Sequence, residues 1–249
     1  MSRGMTIAAM VLLLGQPAFA RQDGKTADAE TILAAVDRQL NQAKTLILEF
    51  EIVNQEAGKP ETKLAQTIRV KGSQRLTVFT APKDMEGTKV LVLAPTQMYV
   101  YLPAFGKVRR IATHVVDQGF MGMTFSLEDF FVTRYSDEYS ASIVSERPKD
   151  MTIALTPKPG TTPRYSRIEM TLLKEGSLPT ELRYFDDKGT HVKTESRSDY
   201  VREGDVSLPK ELKMTDATKE GRWTRMTAKT LKVNQDIPDE FFTKKNLEK

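Results

Sequence analysis

The 249 residues, 39% hydrophobic and 28% charged, are enough for one large β-domain or two small domains, and they exclude a collagen-like, coiled-coil or wholly disordered chain. The 37 basic and 33 acidic residues nearly cancel at +4, and the basic ones are scattered with no dense basic helix and no nucleic-acid motif, which argues against nucleic acid as a partner. The chain has no cysteine, so it has neither the disulfide framework of small secreted domains nor the cysteine a lipidated lipoprotein needs at its cleavage site.

Met1 to Ala20 reads as a secretory signal peptide. Arg3 is the positive n-region, Met5 to Leu14 is the apolar core, and Ala18-Phe19-Ala20 has the A-x-A pattern before a cut at Arg21. The apolar run is shorter than the roughly 20 residues a spanning helix needs. A signal-like start, a cysteine-free remainder and a core large enough to do without staples fit the periplasm. Residues 21–249 show no linker or composition shift and are expected to form a single domain.

Asp28 to Leu40 is the one convincing amphipathic helix, with Ile32, Leu33, Val36 and Leu40 on one face and Thr26 or Asp28 placed to cap its start. Such a stripe either packs on a core or covers a ligand cavity. The period then changes to two. Leu46, Leu48, Phe50 and Ile52 alternate with polar residues, as do Leu64, Gln66, Ile68 and Val70, with turns at Glu56 to Pro60 and Gly72-Ser73. Thr88 to Ala94 is apolar on both faces, as a buried strand would be, and Met98 to Leu102 returns after a turn at Ala94 to Gln97. Beyond residue 138 the alternation resumes through Met151 to Thr156, Arg167 to Leu173, Leu178 to Phe185, His191 to Arg202, Val206 to Met214 and Arg222 to Val233. Pro209 marks an edge or a bulge in one of these strands. Ile237 to Phe242 suits one helical turn with proline near its start. The expected fold is mainly β (α+β), with about ten to twelve antiparallel strands, one long helix and short helical pieces arranged as a barrel or sandwich.

Catalytic constellations are poor. The only histidines are His114 and His191, in different segments and without metal-binding spacing, and there is no G-x-S-x-G elbow, phosphate loop or dinucleotide fingerprint. His191 follows a turn and is expected to face solvent. Asp186-Asp187 is turn chemistry. The reading therefore assigns no catalytic residue, no metal and no cofactor. What the chain offers is apolar surface. A barrel of this strand number has an interior wider than its own side chains fill easily, so it either encloses a ligand or closes as an ordinary core. Burying an acyl chain releases about 0.8 kcal/mol per methylene, on the order of 10 kcal/mol for a chain of about 16 carbons.

From Tyr99-Val100-Tyr101-Leu102-Pro103 through Val108-Arg109-Arg110-Ile111 to Phe120-Met121-Gly122 and Phe125-Ser126-Leu127-Glu128-Asp129, the sequence resembles the outer-membrane lipoprotein-sorting protein family of the LolA/LolB-like superfamily. The order of elements agrees over roughly residues 28–247. Thr124 stands where that family commonly has an acidic residue, and Leu127 where it often has an aromatic. The resemblance implies a half-open antiparallel β-barrel covered by helices, with a hydrophobic cavity for lipid or lipoprotein acyl chains. It also implies a route from an inner-membrane transporter to an outer-membrane acceptor, with the protein working as a monomer. Candidate cavity-lining residues are Leu46, Leu48, Phe50, Val90, Val92, Tyr99 and Tyr101.

The stretch Gln97 to Phe131 also has the makings of a lid. Ser126 is a good N-cap with Asp129 at N3 as an acidic capping box, and Phe125 and Phe130 are spaced as a hydrophobic staple. Gly119 and Gly122 flank Phe120 and Met121, giving backbone freedom beside large adaptable side chains. Arg109 and Arg110, adjacent on a strand, leave opposite faces. Either one points inward and meets Asp129, Glu128 or the lid carbonyls as a gate, or both are solvated at a strand end. The expected function is a periplasmic carrier of lipid or lipoprotein acyl chains. The alternatives are a non-enzymatic adaptor of an inner-membrane export complex and a lipid hydrolase using His114.

Overall fold

Among the described residues, thirteen strands form one sheet in which each neighbouring pair is antiparallel, and the strand order explains most of the architecture. The computed structural model describes residues 23–94, 96–112, 120–130 and 134–248, excepting the side chains of residues 23–27, 120 and 128. The signal-peptide reading of Met1 to Ala20, Pro95 in the turn, His114, Gly119, the side chains of Thr26, Phe120 and Glu128, and Phe131 lie outside what is described.

Helix α1 (Asp23–Leu40) begins before the expected start at Asp28. Six strands then run outward as successive neighbours: β1 (Thr45–Gln55), β2 (Thr62–Lys71), β3 (Gln74–Ala81), β4 (Lys89–Ala94), β5 (Gln97–Leu102) and β6 (Lys107–Arg110). The chain crosses to the opposite edge and returns through β7 (Tyr139–Glu146), β8 (Asp150–Pro157), β9 (Arg167–Leu173) and β10 (Leu178–Phe185). It continues through β11 (His191–Glu203), β12 (Val206–Asp216) and β13 (Trp223–Val233), and β13 pairs with β1. The count is thirteen, slightly above the expected ten to twelve. Strands β6 and β7 are the two free edges, so the sheet is a half-open barrel. A twisted sheet this large has to curl. Bulges such as the one opposite Glu49 and Phe50, where β13 carries an extra residue, sharpen the curvature.

The two-residue period sorts the side chains. On the concave face, Phe50 and Ile52 of β1, Leu64 and Ile68 of β2 and Phe79 of β3 join Ile153, Met170, Leu182, Met214 and Met226 in the main core. Leu33 and Val36 of α1 are fully buried in that core, so the helix packs on it. On the convex face, Leu76 and Leu91 are covered by the C-terminal segment, which contributes Ile237, Phe242 and Leu247. That segment forms a 3-10 turn at Asp239–Phe242 and then α2 (Lys244–Leu247). Edge strand β6 reads Lys-Val-Arg-Arg with three of its four residues exposed, a charged edge that discourages pairing with other chains.

Strands β12 and β13 are paired only from Glu211–Thr227 to Thr215–Trp223. The start of β12 therefore has β11 as its one neighbour, with Tyr200 opposite Pro209. That is why a proline, which cannot donate to a second ladder, is tolerated in a strand that is internal elsewhere.

Candidate functional site

On the concave face, where β12 and β13 separate, lies an open cavity of about 240 Å3. Its apolar wall comes from Leu46, Leu48 and Phe50 of β1, Val70 of β2, Leu208 and Leu212 of β12 and Leu231 of β13. Leu40, at the end of α1, adds to the rim. Arg75, Asp129, Tyr135, Glu195 and Arg197 supply the polar surface, and Phe125 and Phe130 form a cover. A second cleft, about 20 Å3, lies under the same cover between Ile68, Thr77, Val90, Val92, Met123 and Leu127. Another hollow, near Asp37, Arg38, Asn41 and Arg134, is about 330 Å3 but has Ala34 as its sole apolar contributor.

The cover follows from the topology. The link from β6 to β7 joins opposite edges of the half-barrel, and its described residues 121–130 pack on the concave side through Met123, Phe125 and Phe130. Its described part enters through Met121 and Gly122, both with positive φ (51° and 77°), a conformation glycine adopts freely and methionine adopts at a cost. Met123, Thr124, Phe125, Ser126 and Leu127 are all buried. Ser126 N donates to Asp129 Oδ2 at 2.7 Å and Asp129 N to Ser126 Oγ at 3.4 Å, the reciprocal geometry of a capping box at the start of a 3-10 turn, Glu128–Phe130. The rings of Phe125 and Phe130 stack with centroids 5.2 Å apart.

Three anchors hold this lid. Thr124 N donates to Thr224 Oγ1 at 2.7 Å, and that hydroxyl donates to Asn54 Oδ1 at 2.7 Å, tying the lid to β13 and β1. Asp129 accepts from Lys193 Nζ of β11 and from the Tyr165 hydroxyl, each at 2.7 Å. The chain beyond the lid is clamped by Asp37 of α1, whose two carboxylate oxygens accept from Tyr135 N and Ser136 N at 2.9 Å each.

The polar surface is a row on β11. Lys193, Glu195 and Arg197 alternate onto the concave face. Glu195 accepts from Arg197 Nε at 2.7 Å and from the Tyr184 hydroxyl at 2.7 Å. Burial disfavours charge on Asp129, but the Lys193 ammonium and the bonds from Lys193, Ser126 and Tyr165 outweigh it and hold the carboxyl below its ordinary range. Arg197 is likewise opposed by burial and held well above its ordinary value by Glu195 and the nearby phenols. Burial raises Tyr135 to about 12 and pushes Tyr165 and Tyr184 well up, so these phenols are neutral donors and not bases. Among the described residues, no group of three or more His, Cys, Asp or Glu side chains is arranged to hold a metal ion.

Several expected site residues fall elsewhere. Leu46, Leu48 and Phe50 line the main cavity, and Val90 and Val92 line the small cleft. Tyr99 and Tyr101 do neither. Odd-numbered on β5 beside Met98, they point to the convex face and pack with Leu91 and Phe242 under the C-terminal segment. The gate arginines are also corrected. Arg109 and Arg110 are exposed on edge strand β6, where Arg109 stacks on Phe105 with 5.2 Å to the ring centroid and Arg110 Nη2 donates to Thr96 O at 2.8 Å. Both side chains are exposed at the end of this four-residue strand, so neither guanidinium has to be desolvated. The lid carboxylate Asp129 takes Lys193 instead. His191 is half-buried against Phe185, with ring centroids 5.4 Å apart, and is not free in solvent. Lys193, Glu195, Arg197, Arg75, Tyr165 and Thr224 were not legible as site residues. The signal for the first three was K-x-E-x-R at strand period inside a segment that reads as polar on both faces.

A family model described as "uncharacterized protein" matches residues 71–249. No curated protein matches the chain. Among solved structures, a DUF1329 family protein from Desulfovibrio piger is 24% identical, covering 90% of this chain and 99% of its own, with a TM-score of 0.81. An outer membrane lipoprotein-sorting protein domain from Vibrio parahaemolyticus is 20% identical, covering 90% and 100%, with a TM-score of 0.77. A LolA superfamily protein from Nitrosomonas europaea is 16% identical, covering 88% and 98%, with a TM-score of 0.72. At these identities the likeness is one of fold, and the fold is LolA-like.

Proposed function

Since the chain belongs to the family described as "uncharacterized protein" that spans residues 71–249, and is built on the LolA-like fold, we propose that it is a periplasmic carrier of lipid or lipoprotein acyl chains. In this reading a cleaved signal peptide precedes a single, monomeric lipid-binding domain. The domain takes its cargo from an inner-membrane transporter, hands it to an outer-membrane acceptor, and performs no covalent chemistry.

The observation that carries the proposal is the leucine-lined cavity of about 240 Å3 under a stapled lid. A cavity of this size takes a short acyl segment. At about 0.8 kcal/mol per buried methylene such a segment contributes several kcal/mol before ordering costs, and this suits a cargo that must also be released. Longer chains need the Phe125–Phe130 cover to swing away, which would join the main cavity to the cleft beneath Leu127, since Arg75 and Phe130 border both.

The test is to purify the full mature chain, extract it for lipid mass spectrometry, and titrate it with fluorescent fatty acids. Co-purifying lipid or saturable uptake is expected. A lipid-free protein that also takes up no fatty acid overturns the carrier reading.

A further inference from the structure

Among the described residues, the charges around the cavity do not balance. Glu195 is paired with Arg197 at 2.7 Å and Asp129 with Lys193 at 2.7 Å. Arg75 also lines the cavity, and among the described residues no carboxylate lies within ion-pair distance of it. It sits on the concave face of β3, between Val70 of β2 and Val92 of β4. Its guanidinium lies over the lid ring of Phe130, 5.5 Å from the centroid. It borders both the main cavity and the small cleft. Desolvation lowers it to about 10, so it keeps its charge at neutral pH. This cation among valines has a π-face on one side and open cavity on the other, and among the described residues no anion meets its fork of donors.

From this geometry we infer that Arg75 is the anchor for an anionic head group, and that the cargo is an amphiphile carrying a carboxylate or phosphate at the end of an acyl chain. The head docks on Arg75 beside Phe130, and the chain lies along Leu46, Leu48 and Leu231. This rests on the carrier reading and narrows it, because ester- or amide-linked acyl groups of a lipoprotein present no anion at that point. The ring of Phe130 belongs to the lid, so a head group drawing the guanidinium toward itself competes with the Arg75–Phe130 contact and couples loading to the cover.

The experiment uses the full mature chain and three probes: dodecanoate, dodecanol and 1-lauroyl-lysophosphatidylglycerol. Their dissociation constants are measured by displacement of a fluorescent fatty-acid analogue for the wild-type protein, Arg75→Gln and Arg75→Lys. The wild type is expected to bind the matching anion about 10- to 100-fold more tightly than dodecanol, the range a hydrogen-bonded ion pair supports. Whether dodecanoate or the lysophospholipid gains more identifies the head group. Arg75→Gln should lose the preference while dodecanol binding holds, and Arg75→Lys should keep part of it. Equal wild-type binding of all three probes overturns the anchor and leaves the carrier reading standing, as does a preference that survives in Arg75→Gln. A lipid-free protein that takes up neither the fluorescent analogue nor any of the three probes overturns both. If Arg75→Gln fails to fold, Arg75→Met, which keeps the apolar stem, carries the same comparison, and a preference that survives in it overturns the anchor.

Discussion

Lys193 reaches from β11 to the lid: its Nζ lies 2.7 Å from Asp129 Oδ2, with the two side chains 13% and 1% exposed. The partners come from the two ends of the molecule's logic, one from a wall strand and one from the link that crosses the open side. Tyr165 and Ser126 N complete the shell around the carboxylate.

Removing one member of a buried pair leaves the other uncompensated, at about 3–5 kcal/mol. Asp129→Asn and Lys193→Met are each expected to lower the urea midpoint and to speed release of a bound fluorescent fatty acid. The double variant should be less damaged than the sum of the two, which a double-mutant cycle reads directly. Strict additivity in stability and release rate would show that the pair does not hold the lid.

The same pair sets an acid limit. Asp129 is depressed in the folded protein, so its contribution is fully present above the unfolded carboxyl value of about 3.9 and is lost as pH falls through the lower folded value. Ligand release should therefore accelerate below about pH 4. Stopped-flow release of an uncharged fluorescent lipid analogue between pH 6 and pH 3 checks this, and Asp129→Asn should be flat across the window where the wild type changes.

Leu48 is half-buried on the cavity wall and tests capacity. Leu48→Trp adds bulk into open space, so stability should change by less than about 1 kcal/mol while bound lipid falls several-fold. Calorimetric melting together with lipid quantification measures both. Normal loading in a well-folded Leu48→Trp protein would move the site elsewhere.

Thr224 tests the lid's inner anchor. Thr224→Val strips the acceptor from Thr124 N and the donor from Asn54 Oδ1, all in a buried position. The expected cost is about 1–3 kcal/mol, and the amide of Thr124 should lose protection from hydrogen exchange more than the strand amides do. Uniform loss across the barrel would make this bond part of general stability and not of the lid.

Local order was legible where one residue type and one period carried it. The alternation of Leu46, Leu48 and Phe50 placed a wall strand. Pro209 marked a strand that is locally an edge. Ser126, Asp129, Phe125 and Phe130 spelled a capped and stapled turn, because those interactions close within a few residues. The partner of Asp129 was not legible. Arg109 and Arg110 were near it in sequence, but the sheet order puts them on a free edge, and Lys193 reaches the lid from the far half of the barrel.

By itself the sequence determined that this protein is a set of two-faced antiparallel strands with one amphipathic helix and a lid-like turn, since hydrophobic period and capping act between near neighbours. Only the tertiary structure decided which face looks into the cavity at Tyr99 and Tyr101, which charge meets Asp129, and that Arg75 faces the cavity with no carboxylate within ion-pair distance among the described residues. Those outcomes depend on the pairing of β1 with β13 and on the crossing from β6 to β7. Both join residues far apart in the chain, and period and capping carry no information over that distance.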